Sequence, residues 1–284
     1  MALLLSVLEQ GMIYGILALG VYITYKILDF PDLTVDGSFP FGAAITVRLI
    51  NGFGVPAILT LPIAFLGGAL VGICTGLIHV KLKVRDLLSG IIMMTGLYTI
   101  NLWVAGSGYV AIFDKENIFN NSFVNSITPG FLVNFKNVII IFLITMVAKY
   151  LLDWYMSVGD NDTIVTSLGV DKGLVKIVGL SIANGLVSLS GCIYAQQQRS
   201  FEISIGTGAV VIGLASVIIG TSLFKKVTFF RVTSSVVVGS ILYKACVAVA
   251  MFAGISPNAI KLITAVLFLI ILVISMDRKK VKAC

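Results

Sequence analysis

Acidic side chains clustered beside glycine and proline are the residues of this chain best suited to chemistry. They lie in the segment DFPDLTVDGS, residues 29–38, which we name the first polar break and which interrupts a strongly apolar sequence. Irregular polar backbone at membrane depth is tolerated only where protein buries it or water reaches it. The first polar break is therefore either a solvated loop or the lining of a polar cavity or gate formed by Asp32, Thr34 and Asp36.

A second polar break, residues 197–208, resembles the first one. Asp32-Leu33-Thr34-Val35 followed by Gly37-Ser38 aligns with Glu202-Ile203-Ser204-Ile205 followed by Gly206-Thr207, so that an acid and a hydroxyl residue recur at the same spacing. Inverted repeats whose interrupted helices meet near a translocation path are a feature of transporters. The pattern indicates such repeats, with Glu202 and Ser204 as the second group of candidate path residues.

Other reactive arrangements are missing from the sequence. It shows no nucleophile–base pair, no metal-ligand cluster and no Gly-rich loop ending in Lys-Ser or Lys-Thr, so we expect no catalytic residue, no metal and no cofactor bound by this chain. Lys244 lies in the middle of an apolar run, where an ionised side chain is costly. We expect it either to pair with an acid or to extend to the membrane surface.

Composition determines the environment of the chain. The 284 residues are 58% hydrophobic and only 12% charged, and their mean hydropathy is +1.06, whereas soluble domains carry about 25% charged residues. The net charge of +7 comes from basic residues at the ends of apolar runs, which is a membrane pattern and not a nucleic-acid signal. We predict one all-α polytopic membrane domain over residues 1–284.

Nine apolar runs approach the length of about 20 residues that a helix needs to cross a bilayer. They are residues 4–25, 39–49, 55–80, 87–106, 138–156, 177–196, 209–224, 233–252 and 259–276. The second run is short for a full crossing, so a re-entrant or broken helix there would change the count within about 8–10 spans. In the third run Gly68, Gly72 and Gly76 recur on one helix face, a spacing typical of close helix packing.

The distribution of Lys and Arg predicts which side of the membrane each loop occupies. Basic residues are concentrated in residues 81–85, the central loop 158–176, residues 225–231 and the tail after residue 277. All four segments fall on one side, which the positive-inside rule assigns to the cytoplasm. The amino terminus and the polar segment 107–134 are then outside.

The central loop, VGDNDTIVTSLGVDKGLVK, has the pattern of a short amphipathic helix. Asp160, Asn161 or Asp162 can cap its start by accepting backbone N–H bonds, and Gly169 can end it. Its apolar stripe consists of Ile164, Val165 and Leu168. A short helix of this kind beside a membrane is expected to contact a partner.

Three stretches together resemble a known family. They are the run GMIYGILALGVYITYKILDFPDLTVDG from Gly11, the segment SLGV with the following Val175-Lys176, and the run ANGLVSLSGCIYA from Ala183. In order and spacing they resemble permeases of bacterial ABC importers of the branched-chain amino acid and ribose type. The form of the first polar break is most similar to the branch linked with aromatic amino acid uptake.

The resemblance implies one half of an importer in the bacterial plasma membrane. One partner would be a second permease subunit, either a second copy of this chain in a homodimer or a close paralogue. The others would be cytoplasmic ABC ATPase subunits that bind ATP and an extracytoplasmic protein that delivers a small solute, expected to be an amino acid. Residues 158–176 would be the cytoplasmic coupling loop. The residues that the resemblance assigns to ATPase coupling are Asp162, Ile164, Val165, Leu168 and Gly169.

One alternative stays open at this stage. An ion-coupled secondary transporter would also place acids near broken helices. Its coupling residues would be Asp32, Asp36 or Lys244, and the central loop would only link two repeats. Dependence of transport on a separate ATPase distinguishes the two classes.

Overall fold

A computed structural model describes residues 2–127, 135–159, 172–224, 231–252, 262, 265–266, 269–270 and 273. Within this part of the chain the fold is all-α, as predicted, and seven helical segments are long and apolar enough to cross a membrane. An eighth long helix carries more polar residues and lies largely inside the bundle. The predicted ninth run, residues 259–276, falls mostly outside the described residues.

The elements follow the apolar runs. The long helices are α1 (Ala2–Tyr22), continued by a π-helical turn (Ile23–Ile27), α2 (Val35–Phe53), α3 (Thr60–Val80), α4 (Asp86–Ala105), α6 (Lys136–Gly159), α7 (Lys172–Gln198), α8 (Ala209–Leu223) and α9 (Val232–Phe252). The short elements are helix α5 (Ser122–Ile127), 3-10 turns at Ala57–Leu59 and Ile203–Gly206, and strands β1 (Tyr109–Ala111) and β2 (Ser200–Glu202), which pair antiparallel.

The second helix is longer than hydropathy indicated. The apolar run began at residue 39, but α2 already begins at Val35, inside the first polar break. Gly37 and Ser38 are buried there against other helices and not against lipid. Polar residues that find partners inside the protein can be helical at membrane depth, so the predicted start was four residues too late.

The glycine stripe on α3 is a packing surface, as its spacing predicted. A Cβ atom at Gly68 would overlap Asn184 and Ser188 of α7, and one at Gly72 would overlap the carbonyl oxygen of Leu180. The contacts run in opposite directions along the two helices, so α3 and α7 are antiparallel. Small residues allow two helix backbones to approach closely in a membrane.

The helices pair in the way expected of two inverted repeats. If α1, α2 and α3 form one repeat and α7, α8 and α9 the other, the third helix of each packs along the first helix of the other. Ser188 on α7 donates to the carbonyl oxygen of Ala64 on α3 at 2.7 Å. Ser240 on α9 donates to the carbonyl oxygen of Gly11 on α1 at 2.8 Å. Both crossings are therefore tied by a serine at a close helix contact.

The glycine stripe yields a stability prediction. Gly72→Ala adds one methyl group where the backbone of α7 already lies, so we expect it to lower the stability of the purified chain by about 2 kcal/mol or more. Gly96→Ala is the matched control, because no atom lies within 4 Å of a Cβ at that position. Thermal unfolding in detergent compares the two variants, and equal unfolding temperatures would contradict the packing role of the stripe.

Candidate translocation site

The two polar breaks meet at Asp36. Its Oδ1 accepts a hydrogen bond from the backbone N–H of Val210 at 2.8 Å, and its Oδ2 accepts one from the N–H of Gly208 at 3.1 Å. Helix α8 begins at Ala209, so the carboxylate of one break caps the helix that follows the other. The positive end of the helix dipole favours an anion at this place.

The approach of the two segments is very close. A Cβ atom at Gly206 would overlap the backbone carbonyl oxygen of Asp36, so a residue with a side chain does not fit there without a shift of the backbone. The 3-10 turn that ends at Gly206 also packs on α2. The junction of the two polar breaks is therefore formed by backbone contacts as well as by the carboxylate.

Asp32 is buried in a hydrogen-bonded network. Only 4% of its surface is exposed, its Oδ1 accepts from the N–H of Thr34 at 2.8 Å, and its Oδ2 accepts from Nδ2 of Asn184 at 2.8 Å. The Oδ1 of Asn184 accepts in turn from the hydroxyl of Ser38 at 2.6 Å. The solvated-loop interpretation is therefore wrong for Asp32, whose carboxylate contacts protein.

Thr34 extends this network to a third helix. Its side chain is fully buried, and its Oγ1 lies 3.2 Å from Oγ1 of Thr75 on α3. The hydroxyl of Thr75 donates to the carbonyl oxygen of Val71, so Thr34 is the donor of the pair, because each hydroxyl has one proton. On α4, Asn101 donates to the carbonyl oxygen of Gly37 at 3.1 Å. The network joins α2, α3, α4 and α7.

The other two candidate path residues occupy a different environment. Glu202 ends strand β2, where it pairs with Tyr109 of β1, and the hydroxyl of Ser204 donates to its carboxylate. Both side chains are exposed. The described contacts join the two polar breaks through Asp36 and the backbone near Gly206, whereas Glu202 and Ser204 bond to each other. Whether any of the five residues contacts a solute stays a prediction.

The predicted coupling residues Asp162, Ile164, Val165, Leu168 and Gly169 lie outside the described residues, but the helix that leads into the central loop is described. On this helix, α6, Asp153 forms ion pairs with Lys149 at 2.9 Å and with Arg231 at 3.4 Å. It also accepts from the hydroxyl of Thr233 at 2.6 Å. The end of α6 is thus bonded to the start of α9.

Lys244 has a partner that the sequence did not suggest. Its Nζ lies 3.6 Å from the centre of the Tyr14 ring, and among the described residues no acid pairs with it. A cation over an aromatic face is stabilised by the ring quadrupole.

The sequence analysis also missed the buried amides of Asn184 and Asn101. A lone amide within an apolar run was the available signal, since such a group has to find a partner inside the bundle.

Comparison with known proteins gives the context of this geometry. Residues 3–273 match the family described as branched-chain amino acid transport system / permease component. The chain is 40% identical over 276 residues to the tyrosine transport system permease protein of Clostridioides difficile, covering 94% of this chain and 89% of that protein. No solved structure matches the chain at a significant level.

The names of more distant relatives refer to other solutes. The chain is 24% identical to a probable branched-chain amino acid transport permease protein of Methanocaldococcus jannaschii, over 72% of this chain and 70% of the relative. It is also 24% identical to the ribose import permease protein of Haemophilus influenzae, over 76% and 68%. The family match includes both polar breaks and every described helix from α2 to α9. This chain is a multi-pass protein of the bacterial plasma membrane and belongs to the branched-chain amino acid and ribose type of transport permeases.

Proposed function

We propose that this chain is the membrane subunit of an ABC importer that takes up an amino acid, with tyrosine as the first candidate. The observation that carries the proposal is the 40% identity to a tyrosine transport permease over 94% of this chain. Cytoplasmic ABC ATPase subunits bind and hydrolyse ATP, and an extracytoplasmic protein delivers the solute. A second copy of this chain completes the translocation path, and this chain itself binds no cofactor.

The junction of the two polar breaks is suited to act as a gate. A gate needs an element with two discrete arrangements, and the start of α8 is held at this place by two hydrogen bonds to one carboxylate. These bonds can be exchanged for water when the path opens, at a small net cost. Asp32 and Thr34, which are bonded to α7 and α3, keep α2 in place beside the gate.

The central loop is the element that we assign to the ATPase. Its apolar stripe seats in a groove of the ATPase, and closure of the ATPase subunits on ATP displaces the loop. The displacement reaches the bundle through α6 and α7, which flank the loop. Asp153 then passes it to α9 through Arg231 and Thr233.

Affinity purification from the native membrane, followed by reconstitution, tests the proposal. We expect an ABC ATPase and a binding protein to co-purify with the chain. In proteoliposomes, uptake of tritiated L-tyrosine should require both the binding protein outside and ATP inside. Purification of the chain alone, with uptake driven by an ion gradient and not by ATP, would instead establish the secondary-transporter alternative.

A charge in the apolar stripe should uncouple the transporter. We expect Leu168→Asp to abolish ATP-driven uptake while the chain still folds and inserts, because burying an unpaired carboxylate at the docking surface is costly. Thr166→Asp is the control, since it adds the same charge to the same loop outside the stripe. Uptake by the reconstituted transporter and ATPase co-purification are the two measurements. Normal uptake by Leu168→Asp would contradict the assignment of Leu168 to ATPase coupling.

The junction makes a second prediction for uptake. Asp36→Asn replaces one carboxylate oxygen by an N–H₂ group that faces a backbone donor, so one of the two hydrogen bonds to the start of α8 is lost, at a cost of about 1 kcal/mol. We expect initial uptake to change about fivefold, the factor that corresponds to this free energy. Asp29→Asn is the control, because Asp29 is exposed and Asn tolerates its φ of 49°. If both variants transport at the wild-type rate, Asp36 does not hold the gate.

A further inference from the structure

A polar cavity of about 260 Å³ lies on the side of the molecule that the Lys and Arg distribution assigns to the outside. It is bounded by the start of α6, the end of α7 and the segment that carries Asn117 and Phe119. Cavities for drug-sized ligands measure about 300–1,000 Å³. This cavity is therefore of a size for one small solute molecule.

One wall of the cavity carries positive charge. Arg199 is half-buried, and its guanidinium forms no hydrogen bond or ion pair with the part of the chain that the structure describes. The ammonium of Lys136 donates to the side chain of Asn125 at 2.9 Å and has no acid as a partner among those residues. Two cations that line one cavity, neither paired with an acid of the described residues, favour a carboxylate or another anion as ligand.

Gln197 lies on a wall of the cavity with the opposite charge character, beside a carboxylate. Its Nε2 donates to the carboxylate of Glu9 at 3.0 Å, and its Oε1 is buried without a donor among the described residues. Gln197 lines the cavity, and the hydrogen bond from its Nε2 places the negative charge of Glu9 beside this wall. This side of the cavity therefore favours a positively charged group, such as an ammonium.

The walls are held in place before any ligand arrives. Gln196 accepts from the N–H of Ile118 at 3.0 Å and donates to the hydroxyl of Thr60 at 2.8 Å. Arg199 has a positive φ of 55°, and its carbonyl oxygen accepts from the N–H of Ile112 at 2.9 Å. A backbone conformation that is rare for a residue with a side chain is often retained at a functional position. The backbone of Arg199 is thus held in place beside the cavity.

We propose that this cavity binds the α-carboxylate and α-ammonium groups of an amino acid on its way into the membrane path. The carboxylate bonds to Arg199 and Lys136, the ammonium lies on the Gln197 side of the cavity, nearest to the carboxylate of Glu9, and the ring of Phe119 offers an apolar contact. A simple anion site would lack the nearby carboxylate of Glu9. The proposal rests on the proposed uptake of an amino acid and adds a binding site within the permease itself.

The test is binding of the standard L-amino acids to the purified full-length chain in lipid nanodiscs, measured by saturation-transfer NMR. We expect at least one of them to bind. Its decarboxylated amine and its deaminated acid are tyramine and hydroxyphenylpropionate in the case of tyrosine. Each should bind with an affinity at least about tenfold lower, because each loses one charge-assisted set of hydrogen bonds.

Two pairs of variants locate the site. Arg199→Gln and Lys136→Gln should each weaken binding of the amino acid about tenfold, as expected for a lost hydrogen bond to a charged group. Arg48→Gln and Lys115→Gln remove the same charges from exposed positions that do not line the cavity, so they should bind as the wild type does. Unfolding temperatures identify any variant that fails to fold, and Arg199→Lys then serves as the milder change at that position.

The outcomes separate this inference from the proposed function. If the reconstituted importer transports an amino acid but the chain alone binds none, or binds it equally well in Arg199→Gln and Lys136→Gln, the cavity assignment is overturned and the proposed function stands. Equal binding of the deaminated acid and the amino acid would reduce the cavity to an anion site and also overturn the inference. If the chain binds an amino acid through Arg199 but ATP never drives uptake, the proposed function fails and the binding site stands.

Discussion

The constraint on which this structure depends is that polar groups at membrane depth have to find their partners inside the protein. In the first polar break, Asp32 and Asp36 satisfy it through groups of the protein. Asp32 bonds to Thr34 and Asn184, and Asp36 bonds to two backbone N–H groups at the start of α8. The acids of this segment therefore fix the relative positions of α2, α7 and α8 in this structure.

Close helix packing makes that network possible. Asn184 can reach Asp32 and Ser38 only because α7 lies against its neighbours at very short range, and Gly68 on α3 allows this approach at the level of Asn184. The glycine stripe and the polar network are thus two parts of one arrangement. A larger residue in the stripe would displace Asn184 as well as the helix, so packing and polar contacts in this region are coupled.

The sequence predicted the parts of the fold that depend on local pattern. Hydropathy located the membrane helices, and four-residue spacing identified the packing face of α3. Local pattern failed where a polar residue is buried by a distant part of the chain. The start of α2 was placed too late, because a hydropathy scale cannot distinguish Ser38 in lipid from Ser38 bonded to Asn184. The similarity of the two polar breaks did indicate that they are related, but not that Asp36 would join them through backbone atoms near Gly206.

The described contacts also give one continuous series of close-packed elements between the central loop and the junction of the polar breaks. Asp153 bonds the end of α6 that leads into the central loop to Arg231 and Thr233 at the start of α9. Helix α9 lies against α8 without a gap, since a Cβ atom at Gly220 would overlap the backbone of Ser235. The other end of α8 is the end that Asp36 caps. Closely packed interiors transmit strain, so this series of contacts is the route that the proposed coupling would use between the central loop and the Asp36 carboxylate.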